Sequence, residues 1–182
     1  MKSYGLIGKS LKHSFSPSYF KDKFEHENIT ADYELIEIEN PANLRDIDFQ
    51  KYSGLNVTIP YKSEIINHLD SLSNEAIEIG AVNTIEIKEG KLIGHNTDWI
   101  GFKESIQPLL SGSDRNALIF GTGGASKAVS FALQKLGISF ELVSRKRKSG
   151  TLHYDALTLK KLAKYDILIN TTPVGTKHGK ED

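Results

Sequence analysis

The sequence predicts an α/β fold of two units, and three observations carry that prediction. Short apolar, β-branched runs alternate with helix-patterned stretches along the chain. The texture changes at a small, polar segment over residues 110–114. Behind it, a compact apolar run at 116–120 leads directly into Gly121-Thr122-Gly123-Gly124-Ala125-Ser126. We place the first unit at residues 1–101 and the second at 102–182.

In the first unit, residues 4–8 read as a strand. Ser16-Pro17 then supplies an N-cap hydroxyl and an N1 proline for a helix with Phe20 and Phe24 four positions apart. Residues 31–39 form a second strand and 54–59 a third, stopped by Pro60, which has no N–H to give a ladder. Residues 62–69 turn helical, with Ile65, Ile66 and Leu69 on one stripe. The runs 83–88 and 91–95 flank Glu89-Gly90, a hairpin signal. Asp98 is placed to cap a helix over 99–110. In the second unit, strands at 116–120, 139–144 and 166–170 alternate with helices at 127–136 and 154–163, and Gly137 ends the first of these helices. That alternation is typical of a parallel sheet.

Composition narrows the function. At 182 residues the chain buries roughly two thirds or more of its unfolded surface, enough for a core without staples. The 23 Lys and Arg balance 23 Asp and Glu, so no basic excess suits a nucleic-acid backbone or an anionic lipid surface. With no cysteine there is no disulfide framework, thiolate nucleophile or Cys-ligated zinc. His13, His26, His68, His95, His153 and His178 show no metal-ligand spacing, so no metal is assigned. No run approaches the ~18 apolar residues of a spanning helix, and the N-terminus has no apolar leader pattern. The expectation is a cytoplasmic protein acting on a small molecule, as a monomer or homodimer.

The glycine loop follows a strand and opens a helix, the context in which such loops hold dinucleotides. Gly121 permits the tight turn, Gly123 lets the backbone approach a pyrophosphate, and Ser126 takes the place of a third small residue against the strand. Unpaired N–H groups and the helix dipole attract the phosphates. About 20 residues further on, an acidic side chain usually accepts from the ribose 2'-hydroxyl. Here stand Ser144, Arg145, Lys146 and Arg147 instead. A hydroxyl and a guanidinium suit a 2'-phosphate that a carboxylate repels, so the chain is expected to prefer NADP(H) over NAD(H). A solvated basic loop is the plain alternative.

In the first unit, Ser14-Phe-Ser16, Asn56-Val-Thr-Ile-Pro-Tyr-Lys62, Ala81-Val-Asn-Thr84 and His95-Asn-Thr-Asp98 put polar side chains at strand ends, where ligands of open α/β sheets bind. The serine hydroxyls suit a carboxylate, and equally a helix cap. Lys62 stands at an expected helix start, where a cation is disfavoured and so invites a chemical role. A desolvated lysine can exchange protons near neutrality, and Asp98 is its natural partner.

Taken in order, Ser14-Phe-Ser-Pro17, Asn56-Val-Thr-Ile-Pro-Tyr-Lys62, Ala81-Val-Asn-Thr84, Asn96-Thr-Asp98, Gly121-Thr-Gly-Gly-Ala125 and Asn170-Thr-Thr-Pro173 closely resemble the shikimate dehydrogenase family over essentially the whole chain. The resemblance implies NADPH-dependent reduction of 3-dehydroshikimate to shikimate, in aromatic amino-acid biosynthesis. It implies an N-terminal substrate domain and a Rossmann-like parallel-sheet NADP domain. By it, Ser14 and Ser16 hold the substrate carboxylate. Asn56, Thr58, Asn83 and Asp98 meet the ring hydroxyls or order the pocket. Lys62 and Asp98 are the catalytic pair. Gly121 to Ala125, Ser144, Arg145, Lys146, Thr171 and Thr172 line the cofactor.

Three departures stand out. Tyr19 replaces a common His, Trp99 a common Gly, and Ser144-Arg145-Lys146 the usual Asn-Arg-Thr. Family members are usually longer, so the last strands of the cofactor domain and a C-terminal helix with a substrate-binding Gln are expected beyond residue 182. A quinate or shikimate dehydrogenase using NAD, and a non-catalytic dinucleotide-binding module, are the alternatives.

Overall fold

In the computed structural model, which describes residues 1–175, the first unit spans Met1–Thr97 and the second begins at Asp98. Residues 176–182, which close the expected second domain, lie outside the described residues. The first unit runs β1 (Lys2–Gly8), α1 (Ser16–His26), β2 (Ala31–Glu37), β3 (Gly54–Val57), β4 (Ser71–Leu72), α2 (Asn74–Ile79), β5 (Thr84–Lys88) and β6 (Lys91–His95). Its sheet has the order β2-β1-β3-β5-β6-β4. β1 pairs parallel with both β2 and β3, so Leu6 stands opposite Leu35 on one side and Asn56 on the other. β5 and β6 make the expected hairpin, antiparallel to each other, and β5 is antiparallel to β3. Glu89 and Gly90 both take positive φ in its turn, as a tight two-residue hairpin requires.

Strand alternation sorts the side chains. Leu55 and Val57 point into a core with Ile7, Leu44, Tyr61 and Ile65, while Asn56 and Thr58 fall on the other side. That other side carries α1, whose Phe20 stacks on Tyr33 of β2 at 4.4 Å and 9°. Phe24 packs on Tyr4 of β1, with ring centres 5.6 Å apart.

The second unit holds α3 (Asp98–Ile106), β7 (Asn116–Phe120), α4 (Gly124–Lys135), β8 (Ser139–Ser144), β9 (Thr151–His153), α5 (Leu159–Leu162) and β10 (Ile167–Asn170). All four strands are parallel, in the order β10-β7-β8-β9. This is the Rossmann-like arrangement expected from the sequence. Ala117 and Ile119 of β7, buried between its neighbours, pack with Val129 and Leu133 of α4 and with Ile138. Trp99 of α3 meets Phe131 of α4 edge to face, 5.1 Å and 82°. The aromatic ring standing where the family often has Gly therefore cements two helices of this unit. Among the described residues no helix is long and apolar enough to cross a membrane.

Several elements differ from expectation. The helix expected over 62–69 is a 3-10 helix, Glu64–His68, because Ile66 and Leu69, both packed on the core, align at the three-residue spacing of that tighter turn. The helix expected over 154–163 breaks into a 3-10 turn, Tyr154–Ala156, and the single-turn α5. Thr158 causes the break, its hydroxyl accepting from the Lys161 N–H at 3.2 Å and starting the helix afresh. α3 stops at Ile106 and a 3-10 turn with Pro108 follows, since proline lacks the N–H to continue the ladder. Asp98 is the first residue inside α3 rather than its cap. α1 is preceded by Phe15 in the cap position, not Ser16.

Candidate active site

Polar residues of the first unit collect at one edge of its sheet. β1, β3 and β6 run the same way, so their C-terminal ends and the start of β5 share that edge. Gly8 ends β1 so close to β3 that an added Cβ there would lie 2.6 Å from the Thr58 side chain. The backbone pins the row together. Thr58 N–H donates to Ile7 at 2.8 Å, Val57 N–H to Asn83 at 2.8 Å, and Asn83 N–H to His95 at 3.0 Å.

The two asparagines are oriented by their neighbours. The Asn83 side-chain oxygen accepts from the Thr97 N–H at 2.8 Å and its amide nitrogen donates to Thr97 Oγ1 at 2.9 Å. The Asn56 side-chain oxygen accepts from the Tyr33 hydroxyl at 2.9 Å. Its amide nitrogen reaches only the Asn83 carbonyl and Thr84 Oγ1, both at 3.5 Å, so its N–H groups are loosely engaged and turned toward the strand ends. Asn96 is buried and donates to the Ala81 carbonyl at 2.9 Å, holding the 81–84 segment in place.

Tyr33 is the residue that sequence reasoning missed. Its hydroxyl is hydrogen-bonded to Ser16 as well as to Asn56, and burial pushes the phenol up to about 12 despite the Ser16 contact. It therefore stays protonated and donates throughout the neutral range. A strand tyrosine reads as core in sequence; only the pairing of β2 beside β1 brings it under Asn56.

Ser14 and Ser16 lie at the start of α1, both half-buried. The turn is fixed by Ser14 N–H donating to Leu11 at 2.8 Å and by Leu11 N–H donating to the Glu37 carboxylate at 2.7 Å. Ser14 Oγ accepts from Ser16 N–H at 3.3 Å. Lys62 is half-buried on the turn after β3. Its carbonyl accepts from Val82 N–H at 2.6 Å, and the preceding Tyr61 is wholly buried with its hydroxyl on the Ile38 carbonyl. Its backbone is thus clamped from both sides. The sequence argument from a cation at an α-helix start does not survive, because the helix behind Lys62 is a short 3-10 stretch. Asp98 belongs to the second unit, where it opens α3.

In the second unit, Gly121, Ser144 and Thr171 stand at the C-terminal ends of parallel strands. Gly121 has φ +117, and an added Cβ would lie 2.5 Å from Thr171 Oγ1, so only glycine fits. A Cβ on Gly123 would meet nothing within 4 Å, leaving open space over the loop. Thr122, Gly123 and Ala125 are exposed and Gly124 half-buried. α4 starts at Gly124, earlier than expected, so its first N–H groups, which have no acceptor within the helix, fall on this loop. Ser126 is buried and donates to the Gly123 carbonyl at 2.7 Å.

Beyond β8, Ser144 is buried with Oγ accepting from Lys146 N–H at 3.1 Å. Arg145 and Lys146 are exposed. Arg147 is engaged by Asp155 at 3.3 Å. Thr171 donates to the Phe120 carbonyl at 2.6 Å and Thr172 to the Asn170 side chain at 2.6 Å, so both hydroxyls offer a ligand their lone pairs rather than their protons. Open backbone, the first N–H groups of α4 and the exposed Arg145 and Lys146 after β8 fit a dinucleotide with a 2'-phosphate. Among the described residues no group of three or more His, Asp or Glu side chains is arranged to hold a metal ion.

Comparison with known proteins points to one family. Residues 6–85 match the family described as the shikimate dehydrogenase substrate binding domain. The shikimate dehydrogenase (NADP(+)) of Clostridium beijerinckii is 41% identical over 186 residues, which cover 96% of this chain and 69% of that protein. The crystal structure of shikimate dehydrogenase from Aquifex aeolicus superposes with a TM-score of 0.88 at 36% identity, over 100% of this chain and 72% of that one. The Thermus thermophilus enzyme, solved in complex with NADP(H) and shikimate, superposes at 0.81 with 31% identity, over 96% and 70%. Sequence motifs, sheet edges and relatives converge, and the chain belongs to the shikimate dehydrogenase family.

Proposed function

We propose that this chain catalyses the NADPH-dependent reduction of 3-dehydroshikimate to shikimate. The first unit binds substrate and the second binds cofactor. The observation that carries the reading is the gathering of Asn56, Thr58, Lys62, Asn83 and the Ser14–Ser16 turn at one sheet edge, in the segment matched by the family's substrate-binding domain.

Hydroxyl and amide donors suit the substrate. Ser14 and Ser16 take its carboxylate, and Asn56, Thr58 and Asn83 take the ring hydroxyls, with the Asn56 oxygen held by Tyr33 and its amide nitrogen only loosely engaged. As the ketone is reduced, negative charge builds on its oxygen. The Lys62 ammonium stabilises that charge and donates the proton. Asp98 is assigned, on its motif, as the second member of the catalytic pair. Thr122 to Ala125 and the α4 N-terminus hold the pyrophosphate, Ser144, Arg145 and Lys146 the 2'-phosphate, and Thr171 and Thr172 the nicotinamide half. When bound, NADPH supplies the hydride.

The test is growth of NADPH absorbance with shikimate and NADP+, repeated with NAD+ and with quinate. Turnover with shikimate and NADP+, and much less with either substitute, is the expected result. Equal turnover with NAD+ overturns the cofactor choice, and faster turnover of quinate overturns the substrate.

A further inference from the structure

The basic loop after β8 is an unusual crossover. Parallel neighbours are normally joined by a dozen or more residues, most often through a helix. Here β8 ends at Ser144 and β9 begins at Thr151, so residues 145–150 are the whole connection. The strands pair with Ser144 opposite His153. The loop holding Arg145, Lys146, Arg147 and Lys148 is therefore tied to the sheet at both ends, and its shape depends on what braces it between them.

Thr151 braces its second half, its N–H and hydroxyl both donating to the Lys148 carbonyl, and His153 braces its first. Its Nε2 lies 3.0 Å from the Arg145 carbonyl oxygen. A carbonyl oxygen only accepts, so Nε2 carries a proton and donates it. Its Nδ1 faces Asp155, 3.3 Å from the backbone N–H and 3.0 Å from the carboxylate. Asp155 in turn holds the Arg147 guanidinium at 3.3 Å. The His153 side chain is only 24% exposed while those of Arg147 and Asp155 are 79% and 72% exposed, so the imidazole is the fixed point of the group. Meanwhile Ser144 Oγ secures the Lys146 N–H. The carbonyl of Arg145 and the amide of Lys146 are thus both pinned, Arg147 is occupied by Asp155, and the Arg145 and Lys146 side chains project into solvent.

We propose that His153 is a positioning residue for cofactor choice: by fixing the Arg145 carbonyl it presents Arg145 and Lys146 to the 2'-phosphate of the adenosine ribose. The proposal rests on the NADP reading above and deepens it. A guanidinium held ready for a phosphate loses less freedom on binding than one on a wandering loop, and the gain falls only on ligands that have that phosphate.

The test is calorimetric binding of NADP+, NAD+ and adenosine 2',5'-bisphosphate to the 182-residue chain and to its His153 variants. For His153→Ala the expected result is about tenfold weaker binding of NADP+ and of the bisphosphate, with NAD+ unchanged. His153→Gln, which keeps an N–H donor at similar reach, restores most of the loss. Equal weakening of NADP+ and NAD+, or a Gln variant no better than Ala, overturns the positioning role in favour of a merely structural one. If the parent chain prefers NADP+ and His153→Ala keeps that preference, the proposal alone fails. If the parent shows no preference for the 2'-phosphate, the cofactor reading fails and takes the proposal with it.

Discussion

The Tyr33 phenol joins two parts of the first unit that are far apart in sequence, Ser16 at the start of α1 and Asn56 in β3. Tyr33→Phe keeps the ring stacked on Phe20 and deletes only the donor. Asn56 is then free to turn its oxygen outward, where a substrate hydroxyl meets an acceptor instead of a donor. We expect KM for shikimate to rise about 2- to 10-fold, the range of one neutral hydrogen bond, with kcat little changed. A fall in kcat at constant KM contradicts this. Lys62→Ala separates the opposite way, because a proton donor acts in the transition state. Turnover should drop by about 10²- to 10⁴-fold with modest change in KM, and near-normal turnover removes Lys62 from the chemistry. The placing of Asn56 and Asn83 at strand ends is legible, because a polar side chain there breaks the apolar pattern. Tyr33 is not, because its partner is set by the register of β2 on β1 and of β1 on β3, a pairing that no local window contains.

At the scale of elements, Asp166 ties β10 to β7 where both begin. Its carboxylate accepts from Arg115 N–H at 2.8 Å and Asn116 N–H at 3.0 Å, and its own N–H donates to the Asn116 carbonyl at 2.9 Å. Those backbone donors hold its carboxyl below the usual carboxylate range. A group whose folded pKa is depressed adds stability above its unfolded value, about 3.9, and loses it as pH falls through the folded value. Asp166→Asn should therefore melt lower than the parent at neutral pH, with the gap closing as the pH drops below 4. Thermal melts across that range check it, and a gap that widens in acid refutes it. The long strands of this unit, β7 and β8, are visible in sequence as apolar runs after turn signals. β4 and β9 are not, since two and three residues carry no period and exist as strands only through pairing with β6 and β8. α2 did leave a trace, Ser73 capping Ala76 N–H at 3.2 Å and Gly80 closing in the left-handed region at φ +64, but its single apolar turn is too short to show a stripe. The 62–69 segment misled for a different reason: residues three apart, such as Ile66 and Leu69, line up on a 3-10 helix as they do on an α-helix, and the choice is made by the core they meet.

For the molecule as a whole, each unit holds a core of its own. The buried residues of one cluster fall between Ile7 and Leu92 and those of the other between Ala117 and Ile138, so the two-unit plan is legible from the alternation of patterns even though the strand orders are not. If substrate and cofactor bind one unit each, as proposed, the separate cores give each ligand its own region to stabilise. A ligand that binds only the folded state adds RT ln(1 + [L]/Kd), about 2.7 kcal/mol at a hundred times its Kd. Amides that exchange only through unfolding of the liganded unit should then slow by about a hundredfold. With NADP+ the slowing is expected in β7, β8 and the first turn of α4, because Gly121, Ser144 and the loop at 122–125 end or begin those elements. With shikimate it is expected in β1, β3 and β5, whose ends bear Asn56, Thr58 and Asn83. Hydrogen exchange read by mass spectrometry resolves both regions in one experiment. Protection by NADP+ within residues 1–97 alone, or by shikimate within the second unit alone, reverses the assignment of substrate and cofactor to the two sheets.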